Sequence, residues 1–95
     1  MNLLVFSSPE CTPCKRLKEV LNELKGSNQI NFIEVDINVD SDQVIKYEIK
    51  SVPTIVFLDS QGKETKRYIG FKTPKFLKEK ILMLTKEEKI VDVQF

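Results

Sequence analysis

A chain of 95 residues, 41% of them apolar and 31% charged, can bury one modest core with nothing left for a second, so a single domain over residues 1–95 is expected. Fifteen Lys and Arg oppose 14 Asp and Glu for a formal net charge of +1, and the signs are interspersed, with no basic block to grip phosphates. Nucleic acid is therefore not expected as a partner, and no apolar run is long enough to span a bilayer.

The chain opens on an apolar run, Asn2 to Ser7, dense enough for a strand buried on both faces. The run lacks a basic leader and is too short for the core of a signal peptide, which predicts a soluble, cytoplasmic protein. Ser8-Pro9 breaks the strand. From Thr12 to Lys25, Leu17, Val20, Leu21 and Leu24 recur at helical spacing while Lys15, Arg16, Lys18, Glu19 and Glu23 take the other face, and Gly26 supplies a stop. Ile30, Phe32, Ile33, Val35 and Ile37 predict a second strand, and Asp40 or Ser41 can cap a short helix carrying Val44, Ile45, Tyr47 and Ile49.

After a turn at Lys50-Ser51, Thr54 to Leu58 is a continuous β-prone run, with a loop at Asp59-Ser60-Gln61-Gly62 and a return strand from Glu64 to Ile69. Thr73-Pro74 caps a helix whose apolar side is Phe76, Leu77, Ile81 and Leu84. In the tail, Thr85-Lys86-Glu87-Glu88 has the form of a capping box, but Val91, Val93 and Phe95 alternate with Asp92 and Gln94, so residues 85–95 are read as an added edge strand. The order is β-α-β-α-β-β-α. Helix-length crossovers between the first three strands imply parallel pairing, and the short Asp59–Gly62 loop an antiparallel pair. The fold class is α/β: a mixed four-stranded sheet with helices on both faces, extended by the C-terminal strand.

Chemistry concentrates at Cys11-Thr12-Pro13-Cys14, between a buried strand and the first turn of an amphipathic helix. The two sulfurs can meet across one helical turn. Cys11 stands where unpaired N–H groups and the positive end of the helix dipole favour a thiolate, so it is the expected nucleophile. Cys14, one turn in and less exposed, is the expected resolving thiol. Pro13 removes an N–H that would be unpaired anyway and stiffens the spacing. Lys15 and Arg16 favour the Cys11 anion, whereas Glu10 opposes it. The alternatives are two ordinary buried cysteines or half of a metal site. With no histidine and no further cysteine, a closed zinc site would need a second chain or an outside thiol, so no metal and no cofactor is expected.

Three stretches carry a resemblance through nearly the whole chain: Phe6 through Cys14; Tyr47-Glu48-Ile49-Lys50-Ser51-Val52-Pro53-Thr54; and Ile69-Gly70-Phe71 followed by Leu77-Lys78. Together they resemble the thioredoxin family. The resemblance implies the thioredoxin-like fold and a cis bond between Val52 and Pro53. It also implies a substrate site formed by Thr12, Pro13, Val52, Pro53 and Gly70, in which the Val52 N–H and C=O pair with an extended segment.

Departures from the family pattern matter as well. Glu10 replaces the tryptophan that usually precedes the first cysteine, and Val5 replaces a buried aspartate. Glu34 stands where the family often keeps a lysine, which makes it a candidate for proton handling. The family's leading strand and helix are missing, as in glutaredoxins. A glutathione site, however, would want an aromatic at Thr12-Pro13 and Gly-Gly-acid at Gly70-Phe71-Lys72. The tail, Ile90 to Phe95, could cover the free edge of the second strand.

The resemblance implies a thiol–disulfide oxidoreductase acting on protein disulfides in the reducing direction. It would be monomeric and reset by a thioredoxin reductase or by glutathione. A glutaredoxin, a thiol-ligated metal or iron–sulfur carrier, and a binding module are the alternatives.

Overall fold

A computed structural model of the chain describes residues 2–24 and 30–93. The elements are β1 (Asn2–Ser7), α1 (Thr12–Leu24), β2 (Asn31–Asp36), α2 (Ser41–Lys46), β3 (Thr54–Leu58), β4 (Glu64–Ile69) and α3 (Pro74–Val93). The predicted stop at Gly26 lies outside the described residues. One sheet runs in the order β2-β1-β3-β4, so β1 and β3 are central and buried nearly throughout.

Alternation along these two strands builds two cores. Leu3, Val5, Ile55 and Phe57 meet Leu17, Val20, Leu21 and Leu24 of α1 and Leu77, Ile81 and Leu84 of α3. Leu4, Phe6, Val56 and Leu58 face the other way, with Val35, with Val44 of α2 and with Tyr47 and Ile49 just after it. Each fully buried Leu, Ile or Phe contributes about 1.5–3 kcal/mol, and the two cores hold helices on both faces of the four-stranded sheet, as expected.

Strand direction departs from expectation. β1 is parallel to β2, but β3 runs antiparallel to β1, as β4 does to β3. The cause is the size of α2. A strand of this length rises about 20 Å, whereas the six residues of α2 advance the chain about 9 Å, too little to return it to the sheet's far end. Residues 37–53 therefore leave β2 and enter β3 at the same end of the sheet, the end where β1 finishes.

The added C-terminal strand is also corrected: α3 continues as helix to Val93, and the sheet has four strands. Extending an established helix adds a hydrogen bond per residue without a new nucleation cost, and Lys86, Glu87, Glu88 and Lys89 are strong helix formers. Gln94 and Phe95 lie outside the described residues, and no described strand covers the outer edge of β2.

The link between α2 and β3 is tied down from both sides. Asp40 caps α2, its carboxylate accepting from the Gln43 N–H at 3.3 Å. At the other end Glu48 has φ +52°, its N–H donates to Ile45 O (3.1 Å), and the Ile49 N–H donates to Val44 O (3.0 Å). This is the two-bond stop that usually carries Gly or Asn at its left-handed position. The orphan carbonyl of Tyr47 accepts from Arg67 Nη2 of β4 at 2.9 Å, while the same guanidinium grips both carboxylate oxygens of Glu64 at 2.7 and 2.8 Å. The Arg67 bond holds the Glu64 carboxyl below its ordinary value of 4.5.

Two stability measurements check this. Replacing Glu48 with Gly relieves the left-handed conformation, and chemical denaturation should show a gain of about 1 kcal/mol. Glu64 has a depressed folded pKa, so its contribution is complete above pH 4.5 and is lost as pH falls through the lowered folded value. Wild type should exceed Glu64→Gln by about 1 kcal/mol at neutral pH, with the gap closing in acid; a pH-independent gap contradicts the assignment.

Candidate active site

β1 delivers the chain to the site, and Ser8-Pro9-Glu10 turns it. The Cys11 N–H donates to Ser8 O at 3.1 Å, and the Cys11 carbonyl accepts from the Lys15 N–H at 3.2 Å, the first bond of α1. Cys11 is thus the N-cap. Its sulfur accepts from the Cys14 backbone N–H at 3.2 Å, the bond a capping Ser or Asp oxygen would make. An N–H donor at the positive end of a helix stabilises negative charge on that sulfur.

Cys11 and Cys14 are joined in a disulfide, with their Cα atoms 5.2 Å apart. The two sulfurs are unequal. Cys11 is half-buried at the rim, while Cys14 is only 6% exposed because it continues the stripe of Leu17, Leu21 and Leu24 that packs against the sheet. Thr12 and Pro13 stand exposed between them.

The second wall comes from the loop before β3. The Val52–Pro53 bond is cis, Pro53 is fully buried, and the Val52 carbonyl oxygen lies 3.8 Å from Cys11 Sγ. A disulfide sulfur has no proton to donate, so in this oxidised form the approach is a contact. The Thr54 hydroxyl donates to Ser51 O at 2.8 Å, and the Gly70 N–H donates to Pro53 O at 2.8 Å, fixing the loop and the end of β4 to each other. Gly70 has φ +91° with nothing within 4 Å of where a Cβ would be, so backbone conformation, not crowding, favours glycine there. Thr12, Pro13, Val52, Pro53 and Gly70 therefore gather at one end of the sheet, where β1 hands over to α1.

Behind the disulfide lies a cleft of about 490 Å³ between α1 and the sheet, lined among others by Val5, Cys14, Lys18, Glu34 and Asp36. Glu34 pairs in register with Val5, which puts it on the α1 face, and Lys18 Nζ is 3.8 Å from its Oε2. Both side chains are about half exposed, at 61% and 46%, so the ion pair adds little stability. The site expected from the sequence is thus present, with Glu34 in the same cleft as Cys14. Asp36 was missed, although its place two residues after Glu34 on a strand puts both on one face. The Arg67–Tyr47 bond was missed too, and no local pattern announces it. Among the described residues no group of three His, Cys, Asp or Glu is placed to hold a metal ion, and no helix is long and apolar enough to cross a membrane.

Comparison with known proteins agrees with this geometry. The Thioredoxin family model matches residues 1–83. A thioredoxin of Staphylococcus saprophyticus is 34% identical over 84 residues, covering 85% of this chain and 79% of its own. The SPbeta prophage-derived thioredoxin-like protein YosR of Bacillus subtilis is 31% identical over 72 residues, covering 76% and 85%. Among solved structures, thioredoxin NaTrxh from Nicotiana alata superposes with a TM-score of 0.79 at 30% identity, over 86% of this chain and 70% of that one. Thioredoxin from Trypanosoma brucei brucei gives 0.81 at 26% identity, over 90% and 74%. Since the matched span encloses both cysteines, Pro53 and Gly70, the chain belongs to the thioredoxin family and is a thiol–disulfide oxidoreductase.

Proposed function

We propose that the protein reduces disulfides of protein substrates, with Cys11 as nucleophile and Cys14 as resolving thiol. The unequal placement of the two sulfurs carries this reading: one is half-buried at a helix N-cap beside the Val52 carbonyl, the other is beneath it. The Cys11 thiolate attacks one sulfur of the substrate disulfide, forming a mixed disulfide and expelling a substrate thiolate that takes a proton from water. The Cys14 thiolate then attacks the Cys11 sulfur. This closes the Cys11–Cys14 bond and releases the second substrate thiolate.

An extended substrate segment would lie along Val52, whose N–H has no acceptor among the described residues, between Thr12-Pro13 on one side and Pro53-Gly70 on the other. Two electrons from an external dithiol or thiol reset the pair. A thioredoxin reductase fits better than glutathione, because Thr12-Pro13 offers no aromatic surface. The setting is a reducing cytoplasm and the working form a monomer. Glu34, in the cleft with Cys14, accepts the proton of the resolving thiol.

Equilibration in graded thiol–disulfide buffers, read by mass after thiol trapping, tests the first part. A two-electron transition near about −270 mV is expected of a thioredoxin-type reductant, whereas a pair that never closes overturns the reading. Cys14→Ser should accumulate a one-to-one mixed disulfide with substrate, which Cys11→Ser should not form. Glu34→Gln should slow resolution of a preformed mixed disulfide about tenfold near neutral pH. An unchanged rate removes Glu34 from the mechanism and leaves water as the acceptor.

A further inference from the structure

The surface around the cysteines is uneven in charge. Glu10, the carboxylate nearest Cys11 along the chain, is engaged by the Ser8 hydroxyl, which donates to its Oε2 at 3.2 Å. On the other side, the Gly70–Pro53 bond holds the segment Gly70-Phe71-Lys72 against the loop that carries Val52. Arg16 lies one turn beyond Thr12 on the same face of α1, and its guanidinium sits over the Phe71 ring, 4.7 Å from the centroid. Lys72 and Lys80 approach the neighbouring Phe76 ring, with Nζ 5.5 and 5.2 Å from its centroid. Phe76 is fixed in turn edge-on to Tyr68, 5.1 Å away.

Three cations thus rest on two anchored rings, starting from Arg16 one turn from Thr12 and Lys72 two residues from Gly70 and running out to Lys80. None of them pairs with a carboxylate among the described residues, although Glu19 shares α1 with Arg16 and Glu79 shares α3 with Lys80. A ring face orients a cation and removes part of its water while leaving its charge unneutralised, so an incoming carboxylate gains charge-assisted hydrogen bonds at little ordering cost. The arrangement is local, since the whole chain carries only +1.

We propose that Arg16, Lys72 and Lys80 form a docking patch for acidic residues that flank the reducible disulfide of the protein substrate. The proposal rests on the oxidoreductase reading above and adds the substrate class. Arg16 is about 6 Å along α1 from Thr12, and an extended substrate advances about 3.3 Å per residue, so Asp or Glu two to four residues from the attacked cysteine reaches the patch. Exposed charges of this kind act on encounter and binding and are screened by salt, which puts the effect in KM.

The test uses three disulfide peptides identical except for two Glu, two Gln or two Lys at those positions, together with the small neutral 2-hydroxyethyl disulfide. All are reduced by the full chain in its dithiol form. The expected order of kcat/KM at low salt is Glu, then Gln, then Lys, with about a tenfold span carried by KM. That span should shrink towards 1 in 0.5 M salt and in Arg16→Gln/Lys72→Gln/Lys80→Gln. Impaired folding or an altered Cys11 thiolate scales both rates of a variant, so the ratio of Glu to Lys peptide isolates the patch. Equal rates for the three peptides, or a span that survives salt and substitution, overturn the proposal while the neutral disulfide is still reduced. Failure on every peptide and on the neutral disulfide overturns the underlying oxidoreductase reading with it.

Discussion

Antiparallel pairing of β1 with β3, in the register that sets Phe6 opposite Thr54, is the constraint on which the site depends. β1 ends at that point and hands the chain to Cys11. β3 begins there, so the residues just before it, Val52 and Pro53, arrive beside the cysteine sulfur. Were β3 parallel to β1, its first residue would lie at the opposite end of the sheet, about 20 Å away, and Cys11 would face no second wall. The hydrophobic alternation of both strands locks the register, because a slip of β3 by one residue would exchange Ile55 and Phe57 with Val56 and Leu58 of the other core.

On that frame the chemistry is a matter of helix ends. Cys11 takes the position where a helix seeks an acceptor for its first N–H groups, so satisfying the helix and stabilising a sulfur anion are served by the same bond from the Cys14 N–H. Cys14 takes a position in the apolar stripe. One turn of helix therefore separates a solvent-facing sulfur from a packed one, and the difference follows from where α1 starts relative to its buried face. The other helix end near the site, at Tyr47 of α2, is satisfied at a distance by Arg67, which ties the loop carrying Val52 to the edge of the sheet.

What was legible in the sequence was mostly local. Leu17, Val20, Leu21 and Leu24 announced α1, the β-prone run of Thr54 to Leu58 announced β3, Asp40 and Ser41 marked the start of α2 without deciding which of them caps it, and the cysteine spacing at a strand-to-helix boundary announced the site. The direction of β3 was not legible from helix-length spacing, because the outcome turned on α2 being six residues long. The tail misled for a related reason: Val91 and Val93 alternate like a strand, but a helix already running from Pro74 outweighs that pattern. Arg67 on Tyr47 and Arg16 on Phe71 span 20 and 55 positions, and nothing in the local sequence distinguishes these arginines from solvated surface charges.

Val5 stands where the family pattern has a buried acid, and the cleft it lines with Cys14 carries its charges at Lys18, Glu34 and Asp36 instead. The site then has two entrances. A segment laid along Val52 covers the front, over Cys11, while the rear stays in communication with water and its ions. On the proposed mechanism, protons and disulfides would then use separate doors, and a bulky substrate could occupy one without closing the other.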